Sequence, residues 1–236
     1  MTIRVSIVIP TLNEAANLPH VLPRIPQLPE IVEVLIVDGG STDGTQEVAR
    51  ELLPSIRIIQ QDGRGKGNAV KCGGEAAIGD YFLVLDADGS HTPEEIPLYL
   101  DKAKEGYDMV KGSRYMPGAA TADETPDRGF MVRLTDLVSN LLWRTNFEDM
   151  AYGLFLIDRR RFLALGITSD RFEVEWEILI KAARKGLKIA RVPAFEASRI
   201  HGQSHLTYHQ DGWLIFTMVM REWLRGAAEL VLGKRS

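Results

Sequence analysis

The first half of the sequence predicts an α/β fold, a doubly wound layer with a mostly parallel sheet, on two observations. Short apolar runs rich in Val and Ile recur at Val5 to Ile9, Val32 to Val37, Ile56 to Ile59, Tyr81 to Leu85 and Met109 to Lys111. They are nearly continuous in apolar character, as strands covered on both faces should be. Between them lie segments of helical period. Thr45 to Leu53 sets Val48, Ala49 and Leu52 on one face, and Pro93 to Lys104 sets Ile96, Tyr99, Leu100 and Ala103 on another, with proline just inside the start. Strand and helix in alternation make a layered α/β domain.

The second half is less regular. Gly118 to Asp127 has no period and reads as a mobile surface loop; Phe130 to Phe147 reads as a long helix. A strand is expected around Leu154 to Ile157, a helix over Ile178 to Lys185 and a strand near Ile189 to Val192.

A chain of 236 residues supports one large domain. Its net charge of -4 supplies no general attraction to nucleic acid. The lone Cys72 excludes an internal disulfide and a cysteine zinc cluster, which fits a reducing, cytoplasmic setting. Met1 to Arg4 lack the layout of a secretory signal. Trp213 to Leu232 is long enough to cross a bilayer, but Arg221, Glu222, Arg225 and Glu229 argue against a span. Its apolar residues instead fall at helical spacing, which three arrangements explain: a helix at a membrane surface, a helix packed on the core, or a homodimer contact.

In open α/β sheets, ligands sit beyond the carboxyl ends of the strands. Four polar loops follow apolar strands there: Pro10-Thr11-Leu12-Asn13-Glu14, Asp38-Gly39-Gly40-Ser41-Thr42-Asp43-Gly44-Thr45, Asp86-Ala87-Asp88-Gly89-Ser90 and Gly112-Ser113-Arg114-Tyr115. Asp86 and Asp88, one residue apart where a strand becomes a loop, can share a hard divalent cation, Mg²⁺ or Mn²⁺, that bridges to phosphate oxygens. The competing reading is a turn and helix cap leading into Thr92-Pro93. Asp38 either accepts a hydrogen bond from a nucleotide base or, with Asp43, organises the glycine turn. Glu14 and Asn13 either contact base and ribose or cap a following helix. Gly63-Arg64-Gly65-Lys66-Gly67-Asn68 opens a helix with backbone N–H groups and two cations suited to phosphate, although Gly67 stands where a P-loop has Ser or Thr. Arg114 can grip phosphate with two prongs, and Arg199 with His201 can meet a second phosphate or the metal.

Taken together, Ser-Ile-Val-Ile-Pro-Thr-Leu-Asn-Glu at 6–14, Val-Asp-Gly-Gly-Ser-Thr-Asp-Gly-Thr at 37–45, Asp-Ala-Asp at 86–88, Gly-Ser-Arg-Tyr at 112–115 and Arg-Ile-His-Gly-Gln-Ser-His-Leu at 199–206 resemble the ordered motifs of family 2 glycosyltransferases. The dolichyl- or polyprenyl-phosphate sugar synthase branch is the nearest in look. The resemblance implies a GT-A fold, a Rossmann-like, mostly parallel sheet flanked by helices. It spans residues 1–211, with a nucleotide-sugar half to about 115 and an acceptor half beyond it, followed by a C-terminal amphipathic helix over 212–236. It also implies inverting transfer from a UDP- or GDP-linked sugar. Pro10, Thr11, Glu14 and Asp38 then match positions that hold base and ribose, Lys66 a donor-side basic position, and Asp86 and Asp88 the metal and diphosphate motif. Arg114 matches the phosphate arginine and Asp149 an acidic acceptor-side residue. Arg133 and Arg199 match acceptor-phosphate positions, and His201 and Ser204 lie in the same motif. Three positions depart from the pattern. Gly39 replaces a second acidic residue, Ser90 a metal-binding Gln, and His205 a common Lys.

A polyprenyl phosphate acceptor is already anionic and needs no base, which implies peripheral contact with the inner face of a membrane. A hydroxyl acceptor makes Asp149 the candidate general base. A nucleotide-sugar mutase or hydrolase, or a binding module without catalysis, are the other classes that the donor motifs allow.

Overall fold

The computed structural model describes residues 2–122, 126–203 and 208–231. In chain order its elements are β1 (Val5–Thr11), α1 (Leu18–Val21), β2 (Ile31–Asp38), α2 (Thr45–Leu52), β3 (Arg57–Gln60), α3 (Lys66–Ala76), β4 (Tyr81–Val84), α4 (Ile96–Lys104) and β5 (Met109–Ser113). The second half adds β6 (Ala120–Thr121), α5 (Pro126–Trp143), β7 (Phe155–Asp158), α6 (Arg159–Leu165), α7 (Val174–Arg184), β8 (Ile189–Pro193), β9 (Phe195–Glu196) and α8 (Tyr208–Val231). Short 3₁₀ turns occupy Leu22–Arg24 and Pro93–Glu95.

The main sheet runs β3-β2-β1-β4-β7-β5-β8. Every neighbouring pair is parallel except those made by β7, which is antiparallel to both β4 and β5. Strand residues alternate between two covered faces. Ile7, Ile9 and Ile36 pack with Leu18, Ala49, Ile96 and Tyr99 of α1, α2 and α4. Val8, Val37 and Phe82 pack on the other side with Ala69, Phe162, Ile178 and Ile215 of α3, α6, α7 and α8. A buried strand that gives both faces to helices has no polar position to spare, which is why the runs look continuously apolar.

Departures from expectation have local causes. The segment read as a loop, Gly118 to Asp127, contains β6, which pairs with β9, and the first two residues of α5, while 123–125 lie outside the described residues. Helix α7 starts at Val174, ahead of the expected Ile178, because Glu175 and Glu177 are buried beside lysines rather than solvated. Helix α6 was not anticipated. It is begun by Asp158, whose carboxylate accepts from the Arg161 N–H at 2.9 Å, and is anchored only by Phe162 and Leu165.

Helix α8 has two apolar faces. Ile215, Met218 and Val219 enter the core, whereas Trp213, Phe216 and Leu224 are exposed. No helix among the described residues is long and apolar enough to cross a membrane.

Candidate active site

A cavity of about 710 Å³ opens at the carboxyl ends of β1, β2 and β4. Its walls come from Pro10, Thr11, Leu12 and Glu14 after β1, Gly39 after β2, Gln61 to Lys66 at the entrance to α3, Asp86 to Asp88 after β4, and Arg171, Phe172 and Arg199 from later in the chain. Two glycines permit this close assembly. Gly65 has φ +89, and a Cβ there would lie 2.3 Å from the Asp170 carbonyl oxygen. A Cβ on Gly153 would lie 2.7 Å from both Asp86 Oδ2 and Lys66 Nζ.

The floor is a line of buried charge. Lys66 Nζ sits 2.8 Å from Asp86 Oδ2 and 2.8 Å from Glu175 Oε1. Burial works against the Lys66 charge, yet the two carboxylates hold its ammonium well above the ordinary lysine range. Burial would likewise raise Asp86, but Lys66 and His91 outweigh it and hold the carboxyl below its usual range. His91 is held down by burial, against the pull of Asp86, and its Nδ1 accepts the Asp86 N–H at 3.2 Å. Asp88 accepts from the Ser90 N–H and hydroxyl at 2.9 and 2.7 Å and from Arg199 Nη1 at 3.1 Å. Arg199 in turn reaches Glu14, which also accepts from Asn17. The aspartates of the turn thus belong to the cavity, each with a side chain 22% exposed and each already facing one cation.

Asp38, which the motif matches to a base-binding position, is held by its own turn. It is fully buried and does not line the cavity. Its carboxylate accepts from the Gly40 and Ser41 N–H groups at 3.2 and 3.1 Å, from the Ser41 hydroxyl at 2.5 Å and from Gln46 Nε2 at 3.0 Å. These bonds hold the carboxyl low against the effect of burial. Asp43 accepts from the Ala15 and Thr45 N–H groups at 3.0 Å each and ties the first two loops together. Both aspartates organise turns.

Arg114 and Asp149 form a second, buried cluster. The Asp149 carboxylate accepts from the Arg114 N–H and Nε at 2.8 Å and from Nη2 at 2.5 Å, while Arg114 Nη1 donates to Glu196 at 2.8 Å. Burial opposes the guanidinium charge, but Asp149 and Glu196 raise its pKa far above the ordinary value. Asp149 itself sits at φ +59, a conformation that a non-glycine residue adopts only when its surroundings impose it. Asp136 imposes it by accepting the Asp149 and Met150 N–H groups at 2.7 and 3.1 Å. Burial lifts Asp136 to about 6. Neither Arg114 nor Asp149 lines the 710 Å³ cavity.

Arg133, exposed on α5, lies with its guanidinium carbon 5.3 Å from the Tyr115 ring centroid, next to Arg114 in sequence. His201 is exposed and faces His20 at 5.6 Å between ring centroids, outside the cavity lining. Ser204 and His205 lie outside the described residues.

The site therefore gathers Pro10, Thr11, Glu14, Lys66, Asp86, Asp88 and Arg199 and leaves Asp38, Arg114, Asp149, Arg133 and His201 outside. Gln61, Arg171 and Asn17 were missed because an isolated Gln, Arg or Asn carries no spacing signal. His91 and Glu196 follow apolar or turn residues without a motif of their own.

Among the described residues, no group of three or more His, Cys, Asp or Glu side chains is placed to hold a metal ion. The donor set still suits a hard cation. Mg²⁺ is commonly held by one or two carboxylates with phosphate oxygens completing the shell, and Asp86 and Asp88 offer carboxylate oxygens at the cavity wall.

A mostly parallel α/β sheet thus carries an acidic turn, three arginines and a lysine around one cavity at its carboxyl edge. The chain belongs to glycosyl transferase family 2, whose sequence profile matches residues 6–165. It is 34% identical to the glycosyltransferase AglJ of Haloferax volcanii over 92% of this chain and 71% of the relative. It is 31% identical to the dolichol-phosphate mannosyltransferase of Pyrococcus furiosus over 86% of this chain, and spans only 59% of that relative's length. It is 29% identical to the polyprenol monophosphomannose synthase of Mycolicibacterium smegmatis over 98% of this chain and 91% of the relative. Among solved structures, glucosyl-3-phosphoglycerate synthase from Mycobacterium tuberculosis, in complex with Mn²⁺, UDP and glucosyl-3-phosphoglycerate, superimposes with TM-score 0.72 at 22% identity, covering 93% of this chain and 79% of that one. The fold is of the GT-A type.

Proposed function

We propose that this glycosyltransferase moves a sugar, with inversion, from a nucleoside-diphosphate sugar to a polyprenyl phosphate. The observation that carries the reading is the Asp86–Lys66–Glu175 line at the floor of the 710 Å³ cavity, with Arg64, Arg171 and Arg199 around it. Such a site holds cations where a diphosphate leaving group would gain negative charge. The acceptor oxygen attacks the anomeric carbon, and the bond from that carbon to the diphosphate oxygen breaks. Lys66 and Arg199 stabilise the departing diphosphate. A Mg²⁺ or Mn²⁺ held by Asp86 and Asp88 would neutralise that group further. Backbone and side chains of Thr11, Leu12, Gly39 and Gln61 are left to meet the base, since the Asp38 carboxylate is engaged by its own turn.

Two features support a lipid acceptor. The relatives include enzymes named for dolichol phosphate and polyprenol. Helix α5 also exposes Phe130, Met131, Leu134, Leu137, Val138 and Leu141, one helical stripe, and α8 exposes Trp213 and Phe216. Arg133 and Arg144 lie on or beside the stripe, as suits an anionic membrane surface. With a phosphate as nucleophile no base is required, and Asp149 serves to position Arg114.

A thermal-shift screen of UDP-, GDP- and dTDP-sugars with and without Mn²⁺ tests the donor side, followed by transfer to a short-chain polyprenyl phosphate. Stabilisation by none of the donors defeats the reading. Donor stabilisation with transfer only to water or to a glycan hydroxyl defeats the acceptor assignment. Flotation with anionic vesicles tests the helix stripe, and light scattering reports the competing arrangement, a homodimer that buries it.

A further inference from the structure

A second cavity, of about 350 Å³, lies beside the edge strand β8, between α7 and the segment that follows α5. It shares no lining residue with the donor cavity. Its charged walls are Lys111, Arg144, Arg191 and Glu148. Glu148 is already matched, because Arg191 Nη1 lies 3.1 Å from its Oε2. The other two cations have no such partner among the described residues.

Lys111 is the informative one. It stands in the middle of β5, is 1% exposed, and its ammonium makes no hydrogen bond. An ammonium brings three donors into the interior, and buried donors are normally satisfied. The Phe155 ring, 5.9 Å away, offers only a weak substitute for an acceptor. Burial pushes this lysine down to about 8, although Glu175 and Asp149 pull the other way, so the protein does not supply a full counter-charge. Arg144 stands just past the end of α5 at φ +55, a backbone conformation that turns the chain back along the cavity mouth. Its guanidinium is exposed.

We propose that this cavity is an anion site, separate from the donor site, which takes the phosphate of a phosphate monoester or inorganic phosphate between Lys111 and Arg144. The oxygens of such a group satisfy the Lys111 donors, and the guanidinium of Arg144 closes over its outer side. Leu179, Ala183 and Ile189 form the apolar side of the cavity, and Thr145 and Asn146 add polar groups at its wall. The segment that lines the cavity ends at Glu148, next to Asp149, the residue that holds Arg114. Occupancy therefore bears on the positioning of Arg114, and the site is a candidate for regulation by phosphate.

The test uses the full chain with its donor cavity blocked by saturating nucleoside diphosphate, or left open if no nucleotide binds. Inorganic phosphate and glycerol phosphate are titrated at constant ionic strength and followed by calorimetry and by Tm, and vesicles bearing phosphatidate form a parallel arm. Saturable binding that weakens at least tenfold in Lys111→Met and severalfold in Arg144→Gln supports the site. A response in the soluble arm assigns it to free phosphates; one confined to vesicles assigns it to a headgroup only if Lys111→Met also weakens it, since the buried Lys111 is no part of the α5 surface. A vesicle-only response that survives Lys111→Met overturns the proposal. Arg144 is exposed, so its variant reports even if Lys111→Met repacks. Equal phosphate response in wild type and both variants, or none in any arm, overturns the proposal.

Discussion

Replacing Asp149 by Asn separates two roles that its surroundings could assign. The carboxylate is fully buried and accepts three bonds from Arg114, so the substitution keeps the volume but removes a charge and turns an amide N–H₂ toward a guanidinium. Breaking a buried pair from one side costs about 3–5 kcal/mol. Glu196 still neutralises Nη1 at 2.8 Å, so the lower end, about 3 kcal/mol, is expected. For a domain of this size each kcal/mol moves Tm by about 2–4 °C, which gives a fall of about 6–12 °C. The assay is a thermal melt of purified wild type and variant beside a transfer assay on the same samples. A strut predicts a lower Tm whatever the acceptor, and activity that is lost in proportion to the disordering of Arg114. A melting temperature within about 2 °C of wild type, with turnover down by about 10²-fold, would refute the strut and restore Asp149 as a general base.

Other perturbations follow from the same geometry. Lys66→Met leaves the Asp86 and Glu175 carboxylates facing each other, and donor kcat/KM should fall by about 10²-fold or more, whereas an unchanged value would remove Lys66 from the diphosphate site. Gly153→Ala puts a methyl group 2.7 Å from Asp86 Oδ2 and Lys66 Nζ; nucleotide-induced stabilisation should shrink, with a folding cost of about 1–3 kcal/mol read by denaturant melts. Glu177 is brought down to about 2, burial being outweighed by Lys181 and by bonds from Ser169. Because the folded value lies below the unfolded one, its contribution is present above about pH 4.5 and is lost as pH falls toward 2, amounting to about 3 kcal/mol. Glu177→Gln should flatten the acid limb of the stability curve in that window, and an unaltered limb contradicts the assignment.

Much of the fold was legible because a doubly covered sheet leaves strong traces. Leu35 to Val37 and Leu83 to Leu85 are fully buried core. Strand direction was not legible: Phe155 to Ile157 read as a strand, but an apolar run of that length carries no mark of polarity, so the reversal of β7 stayed hidden. Helix α6 escaped because Arg159, Arg160 and Arg161 dominate a segment with only two apolar anchors. That the Asp86–Asp88 pair, Lys66 and Glu14 share one cavity was legible from loop position and motif order. Partnerships were not. Arg114 meets Asp149 across 35 residues and Glu196 across 82, and Glu175 reaches Lys66 from a helix that begins over a hundred residues later, separations at which no periodicity survives. Asp38 shows the limit of such motifs, since Asp-Gly-Gly-Ser describes a self-bonded turn, which the carboxylate makes here, as well as it describes a ligand site.

The reversed strand has a further consequence. In an all-parallel sheet, chain that leaves a strand at the ligand edge must descend to the opposite edge before it can enter the next one. Here the chain leaves β5 after Ser113 and enters β7 at Phe155, which pairs with Val84, just before Asp86. Departure and re-entry share one rim. The forty-odd residues between them are attached at both ends to one edge of the open sheet. A connection tied to a single edge can change in length and sequence while the strands beneath keep their register, so what it brings to that edge is free to vary without rebuilding the sheet.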